Sequence, residues 1–214
     1  MTAPTLLIVA KAPVPGLAKT RIGRVLGHAR AAEIAAASLL DTLETAATVG
    51  WPVVVAMTGD LSRATRGAEI TAALSDVRVV EQRGETFAER LAHAHLDADA
   101  GHGVVQVGMD SPQVTRDDYK QAGRALARGT TVLGPASDGG WWLLGVQRGT
   151  DAAALADVPM SRDDTADRTI EALGGQVDLL RTLTDMDTWA DALAIAADLP
   201  GTHLAAVVAE GAAA

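Results

Sequence analysis

Short apolar runs recur along the chain and alternate with longer segments of helical period. Residues 6–9 form a continuous apolar run of the length expected for a central strand that helices cover on both faces. Further strands are predicted at residues 51–57, 77–80, 103–107, 130–133 and 177–180. Strands that alternate with helices in this way indicate the α/β class, with a mainly parallel sheet between helices.

The segments between the predicted strands carry apolar residues at intervals of three or four. This pattern is clearest in residues 28–49, which we expect to form the first crossover helix, ended by Gly50. Thr86 followed by Glu89 is typical of a capping box at the start of another helix. Further helices are predicted over residues 61–74, over residues 116–128, and from Ser161 and Asp164 through Leu173.

The loop after the first strand concentrates basic residues. Its sequence, KAPVPGLAKTR, places Lys11, Lys19 and Arg21 around Pro13 and Gly16. The prolines stiffen the loop, and the glycine permits a turn or a close approach of a ligand. Cations at the carboxyl end of a strand, before a helix N-terminus, suit phosphate. Because the spacing matches no standard phosphate-binding loop, a plain turn with solvated charges remains an alternative.

A carboxylate follows the predicted fourth strand. Asp110 and Ser111 lie in the turn GMDSP, where the ligand crevice of an α/β sheet opens. Carboxylate oxygens suit Mg²⁺ or Mn²⁺, which bridge phosphate oxygens while keeping several waters. The alternative is a structural aspartate that caps the next turn.

The stretch GPASDGGWWLLGV combines a carboxylate, glycines and paired indoles. Asp138, Gly139 and Gly140 precede Trp141 and Trp142 in a segment that becomes strand. Side chains alternate along a strand, so one tryptophan is expected in the core and the other on the wall of a cleft. A glycine-rich bulge with two packed indoles is the alternative, but it gives no role to Asp138.

Composition excludes several classes of protein. The chain has 214 residues, a length that favours one domain, and 48% hydrophobic residues, enough for a buried core. Its net charge of -9 argues against a nucleic-acid binder. The absence of cysteine excludes disulfides and thiolate chemistry. No signal peptide or membrane span is visible, so we expect a cytoplasmic protein without a membrane partner. The final EGAAA is expected to fray.

The three motifs resemble those of a bacterial family long catalogued as a domain of unknown function. That family is grouped with the GT-A fold, the nucleotide-diphospho-sugar transferases, and is usually labelled glycosyltransferase. KAPVPGLAKTR also resembles, more loosely, the N-terminal loop of the molybdenum cofactor and phospholactate guanylyltransferases. The resemblance covers about residues 5–193. It implies a single GT-A-like domain that binds a nucleotide or nucleotide sugar together with a small acceptor.

The resemblance also implies roles for individual residues. Asp110 would bind Mg²⁺ or Mn²⁺, with Asp187 of the terminal Asp-x-Asp-Thr motif as a second ligand, although Asp187 and Thr188 could instead cap a helix. Asp110, Asp138 and Lys19 would form the catalytic group. The implied nucleotide-binding residues are Lys11, Pro13, Gly16, Lys19, Arg21, Gln82, Gly84, Ser111, Gly139, Gly140, Trp141, Trp142 and Ser161.

One segment departs from the family pattern. Met160 and Arg162 stand where relatives commonly have an aromatic residue and a threonine, and only Ser161 is aligned. Recognition of the acceptor is therefore expected to differ from that of the relatives.

Three functions follow from these features. In nucleotidyl transfer, a phosphorylated or acidic acceptor attacks a nucleoside triphosphate and pyrophosphate leaves, while Lys11, Lys19 and Arg21 hold the leaving phosphates. In glycosyl transfer, the metal steadies a nucleoside diphosphate and Asp138 is the base. A third possibility is a domain that binds a nucleotide without turnover. The lysine-arginine loop favours nucleotidyl transfer.

Overall fold

A sheet of seven strands forms the centre of the protein, in a computed structural model that describes residues 3–212. The strand order is β3-β2-β1-β4-β6-β5-β7. The strands are β1 (Thr5–Lys11), β2 (Val53–Thr58), β3 (Arg78–Glu81), β4 (Val104–Gly108), β5 (Thr131–Pro135), β6 (Trp141–Val146) and β7 (Val177–Leu179). Only β6 runs antiparallel to its neighbours in this sheet, so the predicted α/β class with a mainly parallel sheet is confirmed.

Helices cover both faces of this sheet. The α-helices within residues 3–212 are α1 (Thr20–Leu26), α2 (His28–Val49), α3 (Gly67–Ala73), α4 (Phe87–Ala98), α5 (Arg116–Ala127), α6 (Thr165–Leu173), α7 (Trp189–Ala197) and α8 (His203–Ala212). Two 3-10 helices span Leu61–Arg63 and Gly149–Asp157. Each predicted strand lies within about two residues of its observed limits, a normal uncertainty for element ends.

Two of the helix predictions differ from the structure. The helix predicted over residues 61–74 is interrupted, because Arg66 takes a left-handed conformation with φ 53° between the 3-10 helix and α3. A separate helix, α1, begins directly after the cationic loop. Gly27, with φ 84°, ends α1 and precedes α2, so Arg21 lies in the first turn of a helix rather than in the loop.

The core is divided by the sheet. On one face, β1, β2 and β4 pack against α2, α3 and α5 around Ile8, Leu39 and Tyr119. On the other face they pack against α4, α6 and the second 3-10 helix around Leu7 and Leu91. A third cluster joins α1, α2, α7 and α8. The buried side chains of β1 thus face a helical layer on each side, as its continuous apolar run predicts.

The paired tryptophans lie at a β-bulge. In the pairing of β5 with β6, Leu143 is opposite Gly134 and Trp141 is opposite Pro135, so Trp142 is an extra residue without a partner. A Cβ atom on Gly134 would lie 2.4 Å from the Trp142 ring, and glycine is therefore required there. The bulge directs Trp142 to the α5 side and Trp141 to the α4 side.

No helix within residues 3–212 is both long enough and apolar enough to cross a membrane. The terminal EGAAA, expected to fray, begins inside α8, and its last two residues lie outside the described range.

Candidate functional site

A cleft of about 770 Å³ opens at the carboxyl ends of β1 and β4. From β1 the sheet continues to β2 and β3 on one side and to β4 on the other, and ligands of open α/β sheets bind where the order reverses. The volume is within the usual range for a small-molecule site. Predicted residues that line the cleft are Lys11, Arg21, Gln82, Asp110, Ser111, Asp138, Gly140, Trp141, Trp142, Ser161 and Asp187.

Lys19 connects three segments at the end of the cleft. It precedes α1 in a left-handed conformation, with φ 44° and ψ 49°. Such a conformation costs a non-glycine residue about 1–3 kcal/mol and persists only where its surroundings hold it. The Lys19 ammonium donates to Asp110 Oδ2 at 2.6 Å and to the Met186 carbonyl oxygen at 2.6 Å. These bonds join the loops after β1 and β4 to the segment before α7.

The Asp110 carboxylate is held in its charged form. The nearby Lys19 charge lowers its pKa and outweighs burial, which acts in the opposite direction. A Cβ atom on Gly108 would lie 3.1 Å from Asp110 Oδ1, so the carboxylate folds back over the end of β4. One carboxylate oxygen is therefore bound by Lys19, and the residue borders the cleft.

Four cations from the described part of the chain line the cleft, namely Lys11, Arg21, Arg90 and Arg162. Lys11 ends β1 with an exposed side chain, and no carboxylate pairs with it among the residues that the structure describes. Arg21 forms an ion pair with Asp187, which lies in the segment before α7. Lys11 and Arg90 are thus the cations of the cleft that no carboxylate pairs among residues 3–212, and Arg90 donates instead to the Glu85 carbonyl oxygen.

Besides Lys19, four of the predicted residues do not line the cleft. Pro13 is buried, and its carbonyl oxygen accepts from the Thr65 N–H at 3.0 Å. Gly16 turns the loop with φ 82°. A Cβ atom on Gly84 would lie 2.7 Å from the Glu89 Cβ, within the capping box of α4.

Gly139, the fourth, has φ 88°, and a Cβ atom there would lie 2.0 Å from the Asp163 carbonyl oxygen. These four residues shape the loops behind the cleft wall.

Gln82 lines the cleft but has its amide nitrogen engaged. Its Nε2 donates to the carbonyl oxygens of Ala10 at 2.7 Å and Ala56 at 2.8 Å, at the ends of β1 and β2. These bonds hold the amide against the sheet. A ligand on the β2 side of the cleft would meet the oxygen of this amide rather than its donor.

The opposite side of the cleft carries the glycine-rich turn. The Asp138 side chain is exposed, and its Oδ1 accepts from the Gly140 N–H at 2.8 Å. Ser161, on the facing loop, takes a left-handed conformation with φ 60°. Strained serine backbone beside a cleft suggests a functional constraint.

The two indoles have separate environments. Trp142 is 2% exposed and its Nε1 donates to the Arg181 carbonyl oxygen at 3.0 Å. Trp141 is half-buried, and its Nε1 donates to Thr169 Oγ1 on α6 at 3.1 Å. Trp142 is thus the core residue of the pair, and Trp141 is held rigidly as a wall of the cleft.

Sequence reasoning missed Asp185, the first aspartate of the Asp-x-Asp-Thr motif. Asp185 lines the cleft, and burial, with the charges of Asp138 and Asp110, raises its pKa to about 6. The motif itself was the available signal. Thr188 caps α7 through a capping box with Asp191, so the capping alternative is confirmed for Thr188 and wrong for Asp187.

The carboxylates of the cleft do not form a closed metal cage. Among residues 3–212, three ligand atoms close enough to share an ion occur in Asp41, Glu44 and His203, far from these loops in sequence. That group has another role, because Asp41 accepts from the N–H groups of His203 and Leu204 at the start of α8. At Asp110 the donor set suits a hard cation that takes its remaining ligands from phosphate and water.

Comparison with solved structures supports the fold. A protein from Desulfovibrio desulfuricans G20, provisionally described as a nucleotide-diphospho-sugar transferase, has a TM-score of 0.84 and 25% identity, covering 100% of this chain and 96% of its own. The 4-diphosphocytidyl-2C-methyl-D-erythritol synthase of Anaerococcus prevotii DSM 20548 has a TM-score of 0.60 and 12% identity, covering 92% and 98%.

Rv0371c of Mycobacterium tuberculosis H37Rv, solved as a complex with manganese, has a TM-score of 0.56 and 19% identity, covering 90% of this chain and 97% of its own. The chain therefore has the nucleotide-diphospho-sugar transferase fold, as the motifs implied. No protein of curated function matches the chain. Residues 40–162 match the family described as "Uncharacterized protein conserved in bacteria (DUF2064)". The chain thus belongs to DUF2064, in agreement with the resemblance of its motifs.

Proposed function

We propose that this protein is a metal-dependent nucleotidyltransferase, which joins a nucleoside monophosphate to a small acceptor and releases pyrophosphate. The observation that carries the proposal is the contact of Lys19 with Asp110 at the carboxyl end of β4. It puts a cation from the phosphate-binding loop and a charged carboxylate at one point of the cleft. Phosphoryl transfer depends on such positioning and charge neutralisation.

The remaining residues fit the same reaction. Lys11 and Arg21 extend the positive charge along the first loop and would hold the β- and γ-phosphates. The acceptor oxygen attacks the α-phosphorus, the bond from that phosphorus to its β-bridging oxygen breaks, and pyrophosphate carries the electron pair away. Asp138 or Asp185, which both line the cleft and lie close enough for their charges to interact, would take the proton of the acceptor.

A divalent cation would be held by Asp110, and Asp187 would join it after Arg21 turns to phosphate. When bound, the ion neutralises charge on the phosphates. The manganese complex of Rv0371c, which has the same fold, supports this choice of cofactor.

Glycosyl transfer from a nucleotide sugar is the second candidate. Its support is the exposed Asp138 carboxylate, which is free to act as the base for an acceptor hydroxyl, and the description of the D. desulfuricans relative. In that reaction a nucleoside diphosphate, not pyrophosphate, would leave.

The leaving group tests the proposal. The protein would be incubated with nucleoside triphosphates or nucleotide sugars and Mg²⁺, with candidate acceptors, and the products separated by ion-exchange chromatography. We expect pyrophosphate to be released, and Asp110→Asn to lower the rate by about two orders of magnitude or more because the charge is lost. Asp117→Asn, on the exposed face of α5, is the matched control and should retain the rate. Release of nucleoside diphosphate would support glycosyl transfer instead.

A further inference from the structure

Gln106 is a buried polar residue whose side chain has no evident structural role. It lies in the middle of β4, opposite Leu7 of β1 and Leu144 of β6, and is 3% exposed. Its amide oxygen has no hydrogen-bond partner in the part of the chain that the structure describes. An unpaired buried amide costs about 1–3 kcal/mol, so its presence between leucines requires an explanation.

Other glutamines of the protein show what a structural amide does. Gln147 donates to the carbonyl oxygens of Leu126 at 3.0 Å and Thr130 at 3.3 Å. Gln82 likewise donates to two carbonyl oxygens. Gln106 borders the cleft as Gln82 does, but its amide makes no hydrogen bond among residues 3–212, so a ligand can supply a partner. A half-turn of the amide exchanges its nitrogen and oxygen, so the group can donate or accept.

The residues around Gln106 form the apolar part of the cleft, next to the cluster on the α4 side of the sheet, and we call this part the Gln106 lobe. It is lined by Val9, Leu91, Gln106, Trp141 and Met160. The Trp141 ring is fixed by its bond to α6, and the aliphatic side chains come from β1, α4 and the loop before α6. Flat apolar walls beside the single Gln106 amide suit a ring that carries hydrogen-bonding groups at its edge.

The charges around the cleft divide its phosphate end from this lobe. Lys11 and the loop after β1 attract polyphosphate, whereas the cleft near Trp141 and Met160 carries charges of both signs, from Asp138, Asp163, Arg90 and Arg162. There the Asp138 carboxylate offers a base to a hydroxyl group. Gln106 precedes Asp110 by four residues, at most about 14 Å of extended chain, so a ring in the lobe lies within reach of the phosphate end.

We propose that the Gln106 lobe is the acceptor subsite, and that it takes a hydroxylated ring of the sugar or cyclitol class. The ring would stack its C–H face on Trp141, and one hydroxyl group would bond to the Gln106 amide. This inference rests on the proposed function, since it identifies the second substrate of that reaction. It adds a hydroxylated ring to the phosphorylated or acidic acceptor expected from the sequence, since Arg90 and Arg162 also line the cleft.

The test measures ligand binding separately at the two ends of the cleft. Saturation-transfer NMR would measure the binding of D-glucose, D-mannose, D-galactose and myo-inositol, and calorimetry that of pyrophosphate with Mg²⁺. We expect a ring probe to bind the wild type and to bind Gln106→Met about tenfold more weakly, while the affinity for Mg²⁺-pyrophosphate stays within about twofold. Methionine keeps the shape of glutamine and removes the unpaired amide, so the thermal midpoint should stay or rise.

Gln147→Met is the matched control, and it should lower the midpoint without changing the affinity for either probe, because its bonds to the carbonyl oxygens of Leu126 and Thr130 are lost and only the Leu126 oxygen keeps the Gly129 N–H as a donor. The inference is overturned if no ring probe binds the wild type, or if Gln106→Met binds the probes unchanged. It is equally overturned if Gln106→Met weakens the binding of nucleosides instead, because the lobe would then hold the base. Failure of Mg²⁺-pyrophosphate to bind the wild type would count against the proposed function separately.

Discussion

At the scale of single residues, the Lys19 ammonium lies where a cation bound to Asp110 would also lie. Its ammonium lies 2.6 Å from Asp110 Oδ2 and lowers the pKa of that carboxyl. The carboxylate is thereby kept charged and oriented, but its charge is already neutralised. A divalent ion on its own therefore binds Asp110 less favourably than an ion that arrives with phosphates. The phosphates can then accept the hydrogen bonds of the Lys19 ammonium in place of Asp110.

Lys19→Met should consequently change the affinity for free Mn²⁺ and for Mg²⁺-pyrophosphate in opposite directions. Loss of the competing ammonium leaves Asp110 available, so Mn²⁺ alone should bind about tenfold more tightly, while Mg²⁺-pyrophosphate should bind about tenfold more weakly. Calorimetric titration measures both affinities. Arg24→Met, a basic residue elsewhere on α1, is the control and should leave both constants unchanged. Weaker binding of Mn²⁺ alone to Lys19→Met would contradict this account of the pair.

At the scale of elements, the start of α7 has two aspartates with different roles. Asp191, in the first turn of α7, completes the capping box with Thr188, whereas Asp187, just before the helix, pairs with Arg21. The local sequence alone does not separate these roles, because either Asp187 or Thr188 is an acceptable N-cap.

Thr188→Ala should lower the free energy of unfolding by about 1 kcal/mol, because the α7 cap is lost. Asp187→Asn should lower it by less than about 0.5 kcal/mol, since an exposed ion pair contributes little to stability. Urea denaturation of both variants measures the difference. If Asp187→Asn were the more destabilising change, the assignment of the cap to Thr188 would be wrong.

Because of the bulge in β6, substitutions of the two paired tryptophans should have unequal effects on stability. Trp142→Ala should cost about 3–5 kcal/mol, because it leaves a cavity beside Gly134 in the core. Trp141→Ala should cost less, since the ring is half-buried, and should weaken the binding of a ring in the Gln106 lobe. Thermal unfolding together with saturation-transfer NMR distinguishes the two. Equal destabilisation with unchanged binding would mean that both indoles are core residues.

At the scale of the whole molecule, both helical layers contain buried polar side chains with an atom that is unpaired within the described chain, such as Tyr119 on α5 and His95 on α4. On the α4 side, His95 is fully buried, and its Nδ1–H donates to the Leu91 carbonyl oxygen at 2.9 Å. Its Nε2 has no partner among residues 3–212. Burial lowers the pKa of His95 from 6.5 to about 4, and the bond to Leu91 only partly opposes this.

This shift predicts that folding stability depends on pH. The pKa of His95 is lower in the folded state, so the unfolded chain binds the proton first as the pH falls. Stability is fully present above pH 6.5 and is lost between pH 6.5 and 4, by about 3 kcal/mol for a shift of this size. Urea denaturation across this range measures the change.

His95→Leu should remove that part of the pH dependence, and the difference between the two curves isolates it from other groups. His102→Leu, an exposed histidine, is the control and should follow the wild type. Identical slopes for the wild type and His95→Leu would show that His95 does not titrate in this range.

The sequence predicted the α/β class and the approximate limits of the strands, because both follow from local periodicity. The run at residues 6–9, the helix over 28–49 and the capping box at Thr86 are each decided within a few neighbouring residues. The sequence also indicated Lys19 and Asp110, since each follows a buried strand, and carboxyl ends of parallel strands meet at one edge.

Contacts between distant segments decided the remaining features of the fold and of the site. The bonds of Lys19 to Asp110 and Met186 join residues that are 91 and 167 positions apart, and no local pattern specifies such contacts. The sequence showed Gln106 only as a polar residue in an otherwise apolar strand. Its burial, its unpaired oxygen and its place on the cleft depend on which strands flank β4 and which helix covers them. Periodicity determines which face of an element is apolar, whereas only tertiary packing determines which polar groups are left without partners at that face.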